Sequence, residues 1–251
     1  MAAKDFEQLV SEAEQAAFSG WDFSYLDGRW QEQEPAWDYR ALVSSRLGQA
    51  SALLDMGTGG GEFLASLAGL PDHTCATEGY PPNLPLARAR LEPLGITVRP
   101  VEADLRLPFD DQEFDLVINR HEEFDPREVR RILRPGGIFL TQQVGGEDNR
   151  RLNDLLEDEP HLLYEAWNLE HARAEIEAGG LRVLTAAEDF PETIFYDIGA
   201  VVYYLKAIPW QIENFNVQES LARLKQIHKL IQAEGGLRVQ SQRFVITATR
   251  N

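Results

Sequence analysis

The stretch LLDMGTGGGEFL, residues 53 to 64, constrains this chain more than any other part of its sequence. A short apolar run, SALLDM, reads as a buried strand, and helix-forming residues follow from Glu62 to Leu67. Between them Asp55, Gly57, Gly59 and Gly61 fall at alternating positions, where strand becomes helix. Glycines at such a junction let the backbone turn sharply and approach a ligand closely, because no Cβ intrudes. A helix N-terminus behind them offers unpaired N–H groups to a carboxylate or phosphate. A nucleotide-type ligand is therefore expected here. The dinucleotide fingerprint is not met: counted from Gly57 it requires glycine where Glu62 stands, and counted from Gly59 it ends on Leu64. A phosphate-binding Gly-Lys-Ser/Thr loop is absent.

Downstream, short apolar strands alternate with helices. HTCATE, ITVRPVEAD, EFDLVINR and IFLTQQV read as strands two to five, with helices over Leu84 to Leu91 and over PREVRRIL, the latter capped by Asp125. Beyond residue 145 the sequence predicts a helix over 162 to 178, a sixth strand in LRVLTAAEDF, a helix over 197 to 207, and a helix from Ser220 to Gly235. RFVITATR closes as a seventh strand, buried or paired on both sides. Strand–helix alternation of this kind predicts a parallel sheet with helices on both faces. Before the first strand, residues 1 to 19 and 36 to 48 read as helices flanking an aromatic segment that holds Trp21, Trp30 and Trp37, three of the five tryptophans.

The glycine loop with Asp55 two residues ahead of Gly57 resembles the D-x-G-x-G-x-G motif of the class I S-adenosylmethionine-dependent methyltransferases. Four further parts of that family's pattern follow in order: Glu78 ending the second strand, Asp104-Leu105 ending the third, PFDDQEFDLVINR, and LRPGGIFLTQQV. The resemblance is close over residues 50 to 145 and loose over the last two strands, with a small-molecule, loosely trans-aconitate methyltransferase-like character. It implies an α/β Rossmann-like fold: a seven-stranded, mostly parallel sheet, helices on both faces, and an antiparallel last strand. It divides the chain into a helical and aromatic cap, residues 1–48, and a methyltransferase domain, residues 49–251, with a lid-like insertion at about 191–218.

The resemblance also implies roles. S-adenosylmethionine is the implied cofactor and S-adenosylhomocysteine the product. Gly57, Thr58, Gly59 and Gly61 would approach its methionine part, and Asp55 would fix the loop or contact the amino group. Glu78 would accept the ribose hydroxyls, Gly79 and Tyr80 would pack on the adenine, and Asp104 with the Leu105 amide would bind the adenine edge. Asn119 and Arg120 would hold the amino-acid end, although Arg120 departs from the small residues usual there; a salt bridge to Asp115 or Glu122 is its alternative role.

For the acceptor, the loop after the fourth strand reads NRHEEF, without the N-P-P-Y or D-P-P-Y of enzymes that methylate nucleobases or side-chain amides. His121, Glu122 and Glu123 are its acid–base candidates, the first two foremost, against the alternative of a solvated loop whose charges cap the next helix. Trp30, Trp37, Tyr39, Tyr196 and Tyr203 are the substrate-lining candidates, against the alternative of core packing. The other histidines (His73, His161, His171, His228) show no metal-ligand spacing, and no metal is expected.

Charge narrows the acceptor further. Lys+Arg 24 against Asp+Glu 41 leave a net charge of −17, which opposes the long-range attraction that polyanion binding needs. A small-molecule acceptor methylated at oxygen or carbon is therefore favoured over RNA or a protein; a cofactor-binding scaffold without turnover is the remaining alternative. One cysteine, Cys75, excludes an intramolecular disulfide and any thiolate-based structural zinc site. The acidic N-terminus predicts no signal peptide, no run approaches 18 apolar residues, and a reducing cytoplasmic location is expected. Oligomeric state is not legible.

Overall fold

The computed structural model describes residues 5–18, 23–101 and 106–251. In chain order its elements are α1 (Phe6–Gln15), β1 (Trp30–Glu32), α2 (Tyr39–Leu47), β2 (Ala52–Met56), α3 (Glu62–Ala65), β3 (His73–Glu78), α4 (Leu84–Leu91), β4 (Thr97–Pro100), β5 (Phe114–Arg120) and α5 (Pro126–Ile132). There follow β6 (Leu133–Val144), α6 (Arg150–Leu156), α7 (Leu169–Ala178), β7 (Arg182–Asp189), β8 (Glu192–Phe195), α8 (Ile198–Ala207), α9 (Leu221–Glu234), β9 (Leu237–Gln240) and β10 (Arg243–Thr249).

Seven strands form one sheet in the order β4-β3-β2-β5-β6-β10-β7. β2 runs parallel to β3 and β5, β3 to β4, and β5 to β6, while β10 is antiparallel to β6. This is the α/β architecture expected from the sequence, including the antiparallel last strand, which is flanked on both sides. Period-two alternation divides each strand between the sheet's faces. On β2, Ala52, Leu54 and Met56 join Phe139, Val129 and Ile176 in one apolar layer, whereas Leu53 joins Val43, Leu64 and Leu91 in another. Every residue of β2 is buried, as strands covered on both faces must be.

The chain separates into two compact units. The sheet unit comprises Ala36–Val144, Trp167–Glu188 and Arg243–Asn251. The second unit comprises the described part of Met1–Pro35 with Gly145–Ala166 and Asp189–Gln242. In it α1 buries Phe6, Val10 and Ala13 at helical spacing, and its Asp5 cap and Gln8 close a capping box. The apolar α8, flanked by α9 Leu224, Ile227 and Ile231, is the centre of this core. A three-stranded antiparallel sheet, β1-β8-β9, completes it. Residues 36–48, read from sequence with the N-terminal cap, contribute α2 to the sheet unit, because Val43 and Leu47 are buried in its apolar layer. The helix expected over 162–178 begins only at Leu169, capped by Asn168. Among the described residues no helix is long and apolar enough to cross a membrane.

Candidate active site

The glycine run forms a turn that only glycine tolerates well at three places: Gly57, Gly59 and Gly61 have φ of 66°, 62° and 81°. Backbone bonds dock the turn on β3. Gly57 N–H donates to Thr77 Oγ1 (3.3 Å) and Thr58 N–H to the Thr77 carbonyl (2.8 Å). At Gly61 a Cβ would stand 2.8 Å from Leu91 Cγ, so the loop packs closely on α4. Arg90 bonds both the Gly60 carbonyl and the Glu62 carboxylate. The helix behind the loop, α3, is a single turn, two residues shorter than the sequence suggests. Loop amides and side chains, rather than a helix dipole, are therefore what this turn offers a ligand.

Three carboxylates gather around it. Asp55 and Glu78 are each 5 % exposed. Burial pushes the Asp55 carboxyl up to about 7, with Glu78 adding to the rise and Thr58 and Arg120 opposing it. Glu78 is also raised by burial, although N–H groups of its own turn hold it down, among them Tyr80 N–H at 2.7 Å from Oε1. Glu122 is pushed up to about 7 by burial, then by Glu78 and Glu123. Its side chain lies directly over Gly57: a Cβ there would sit 2.5 Å from both Glu122 Cβ and Cγ. The cavity between Glu122 and the loop is only about 10 Å³, space for one water at most. Small-molecule sites occupy roughly 300–1,000 Å³. The described conformation thus has Glu122 filling the mouth of the glycine loop, which no sequence pattern revealed.

Beside the loop, the ends of β5 and β6 carry a polar network. Asn119, fully buried, accepts from Thr141 Oγ1 (3.0 Å) and Gln143 Nε2 (2.7 Å) at its carbonyl oxygen, while its Nδ2 finds no acceptor among the described residues. The buried Thr58 side chain lies against Asp55, whose carboxyl it helps hold down. Tyr39 OH donates to the Asn119 carbonyl (2.9 Å). Trp37 Nε1 donates to Gln142 Oε1 (2.8 Å), and the Gln142 amide lies 3.1 Å from His121 Nε2. Indole N–H is a donor only, so the amide nitrogen of Gln142 faces His121, and Nε2 must be the acceptor. His121 itself has φ 65°, a conformation uncommon outside glycine and often found at functional sites. Its pKa is lowered, first by desolvation and then by Arg243 and Arg120; the residue is exposed, and the direction agrees with the neutral imidazole that Gln142 requires. Arg120 makes neither ion pair suggested by the sequence among the described bonds. It sits 4.9 Å from the Phe63 ring centroid, and Asp115 pairs instead with Arg134 (3.1 Å).

The fold brings Asp55, Gly57, Thr58, Gly59, Gly61, Glu78, Gly79, Asn119, Arg120, His121, Glu122, Trp37 and Tyr39 into one unit, at the C-terminal ends of β2, β3, β5 and β6 or beside them. Tyr80 follows Glu78 with 56 % of its surface exposed. Asp104 and Leu105 lie outside the described residues, as does Trp21. Three substrate candidates belong to the second unit. Tyr203 is core: it is 2 % exposed and stacks on Tyr25 (centroids 4.4 Å apart). Trp30 packs among Phe23, Phe195 and Tyr204, and the exposed Tyr196 donates from its hydroxyl to Gln31 (2.7 Å). The Trp37–Gln142–His121 chain was not foreseen, since nothing in the sequence ties residue 37 to 142.

Residues 54–141 match the family model described as a methyltransferase domain. This stretch carries a methyltransferase domain. Solved structures share the fold of the chain. The YcgJ protein of Bacillus subtilis is 17 % identical with a TM-score of 0.59, covering 84 % of this chain and 97 % of its own. A Bacillus halodurans C-125 protein, provisionally named a methyltransferase, is 19 % identical with a TM-score of 0.56, covering 82 % and 98 %. The [4+2]-cyclase SpnF is 16 % identical with a TM-score of 0.54, covering 97 % and 92 %. No curated protein matches the methyltransferase significantly in sequence.

Proposed function

We propose that this methyltransferase uses S-adenosylmethionine to methylate a small molecule at oxygen or carbon. The observation that carries the cofactor reading is the buried Asn119 Nδ2, without an acceptor among the described residues and set beside a positive-φ glycine turn and the Glu78 carboxylate. Buried polar atoms are rarely left without partners, so this one points to a polar ligand. When bound, S-adenosylmethionine supplies a methyl group already activated by its sulfonium. Gly57, Thr58, Gly59 and Gly61 would admit and hold the methionine part, with Asp55 toward its amino group and Asn119 and Arg120 toward its carboxylate. Glu78 would accept the ribose hydroxyls, Gly79 and Tyr80 would cover the adenine, and Asp104 and Leu105, by the resemblance alone, would bind its edge.

The protein's main work is then to position the acceptor and exclude water. Glu122, with a pKa near neutrality, is the group suited to take a proton from an acceptor. His121 is held neutral with Nε2 already accepting from Gln142, which suits it to orienting an acceptor rather than storing a proton. Trp37 and Tyr39 supply the aromatic wall in the same unit. The net charge of −17 and the NRHEEF loop favour a small acceptor over nucleic acid.

Glu78→Ala should weaken S-adenosylmethionine binding by about 1–3 kcal/mol, the cost of hydrogen bonds to a charged group, in calorimetric titration. An unchanged dissociation constant would reassign Glu78 to stabilising its own turn. A cation placed among Asp55, Glu78 and Glu122 favours their ionised forms. S-adenosylmethionine affinity should therefore rise roughly three- to tenfold from pH 6 to 8, less steeply for the product that lacks the sulfonium, and less steeply in Glu122→Gln, where Asp55 alone still titrates in this range. A wild-type affinity independent of pH would remove Glu122 from the site. Because one protein of the same fold is a [4+2]-cyclase, the acceptor experiment must detect the methylated product: incubation with a metabolite library and mass spectrometry should find a gain of one methyl group, and acceptor turnover on RNA alone would overturn the small-molecule reading.

A further inference from the structure

At the opposite end of the sheet from the glycine loop, three different donor types converge. His73 opens β3, Cys75 follows two residues later on the same strand face, and Glu113 immediately precedes β5. β2 runs between these strands, and its residue in register with His73 is the small Ala52. One ligand atom from each of His73, Cys75 and Glu113 lies within 4.8 Å of the other two, and His73 Nε2 is 3.1 Å from Glu113 Oε1. We propose that His73, Cys75 and Glu113 form a mononuclear site for a borderline-soft divalent cation, zinc foremost, which fastens the start of β3 to the start of β5.

The side chains are already held for this purpose. Glu113 turns its second oxygen, Oε2, to Asp110 N–H (2.8 Å), leaving Oε1 for His73 and the ion. The His73 ring lies flat on Phe114, with centroids 5.4 Å apart and an interplanar angle of 5°. Cys75 is 3 % exposed, walled by the apolar layer that contains Phe109 and Phe114. A hydrogen bond between His73 and Glu113 joins those two residues, and the Cys75 sulfur, packed in the apolar layer, lies within ligand reach of both. One nitrogen, one sulfur and one oxygen are ligands zinc accepts together, at about 2.0–2.3 Å. A tetrahedral ion with those bond lengths needs donor separations of roughly 3.3–3.6 Å, so the His73–Glu113 pair at 3.1 Å is already close to them and the Cys75 sulfur, within 4.8 Å of both, must draw in on binding. His73 is 47 % exposed, which leaves the fourth position to water. On binding, Cys75 gives its proton to solvent and coordinates as thiolate. From the sequence, a single cysteine excludes a thiolate-based site because such sites are built from several thiolates; the proposed site departs from that expectation by drawing its other donors from a histidine and a glutamate 40 residues apart.

Chelator-treated full-length protein titrated with Co²⁺ should bind one equivalent and develop thiolate-to-cobalt charge-transfer absorption, which one equivalent of Zn²⁺ then bleaches. Zn²⁺ should also raise the thermal midpoint. His73→Ala and Glu113→Gln, both at the solvent edge, should each weaken binding at least tenfold while the metal-free protein melts as before, and Cys75→Ser should lose the absorption. Absence of thiolate absorption at millimolar Co²⁺ would overturn the proposal. So would equal affinity in wild type, His73→Ala and Glu113→Gln, which would place the metal on other carboxylates.

Discussion

Gly59→Val is expected to lower S-adenosylmethionine affinity at least ~100-fold. Position 59 has φ 62°, where a β-branched residue is strained by about 1–3 kcal/mol, which converts to roughly 5–150-fold in affinity when the free loop relaxes and must regain this shape to bind. The added side chain also stands on the loop that the cofactor must approach, so the two effects act in the same direction. Gly57 is the less clean test, because a Cβ there meets Glu122 at 2.5 Å before any ligand enters. Calorimetry on Gly59→Val, with the thermal midpoint as a control for folding, checks this. Near-normal affinity in a folded variant would show that the loop is not where the cofactor lies.

The second large effect concerns stability. Asp55 titrates at about 7 in the fold, against about 3.8 for an ordinary aspartate. Between those values the folded protein retains a proton that the unfolded chain has released, so Asp55 makes the protein less stable as pH rises, and the loss levels off above 7. Asparagine cannot ionise and removes this penalty. Asp55→Asn should therefore gain about 2–3 kcal/mol on the wild type between pH 5 and pH 8, measured as the difference of their urea unfolding free energies at each pH. Glu122 contributes with the same sign, whereas His121, neutral in the fold, loses stability as pH falls below its ordinary value. Both are present in the two proteins and largely cancel in the difference. Asp115 and Glu128, whose pKa values are lowered, act only in more acid solution. An offset that is the same at pH 5 and pH 8 would mean that Asp55 is ionised throughout.

The strands that build the sheet were legible because parallel strands must be apolar along their length and are separated here by glycine, proline and asparagine signals. HTCATE, for example, corresponds to β3 residue for residue. The glycine loop was legible for a related reason: few backbones need three left-handed residues in five positions. What escaped were relations between distant residues. β1, β8 and β9 are three or four residues long and carry too little periodicity to announce a second sheet. Tyr203 looked like a pocket residue because an aromatic in an apolar helix reads the same whether it faces a ligand or Tyr25. Glu122 over Gly57, Arg120 on Phe63, and the chain from Trp37 through Gln142 to His121 each depend on side-chain direction, which sequence spacing does not encode. The last of these changes the chemistry most. It commits His121 Nε2 to Gln142 and leaves Glu122 as the titratable group at the mouth of the loop.

The central claim is that the glycine turn and its carboxylates bind S-adenosylmethionine. Isothermal titration of the full chain with S-adenosylmethionine and with S-adenosylhomocysteine at pH 8 tests it most directly. Saturable binding of one equivalent of each, weakened by Glu78→Ala and lost in Gly59→Val, is the predicted result; no binding of either at millimolar concentration to the folded wild type would contradict it.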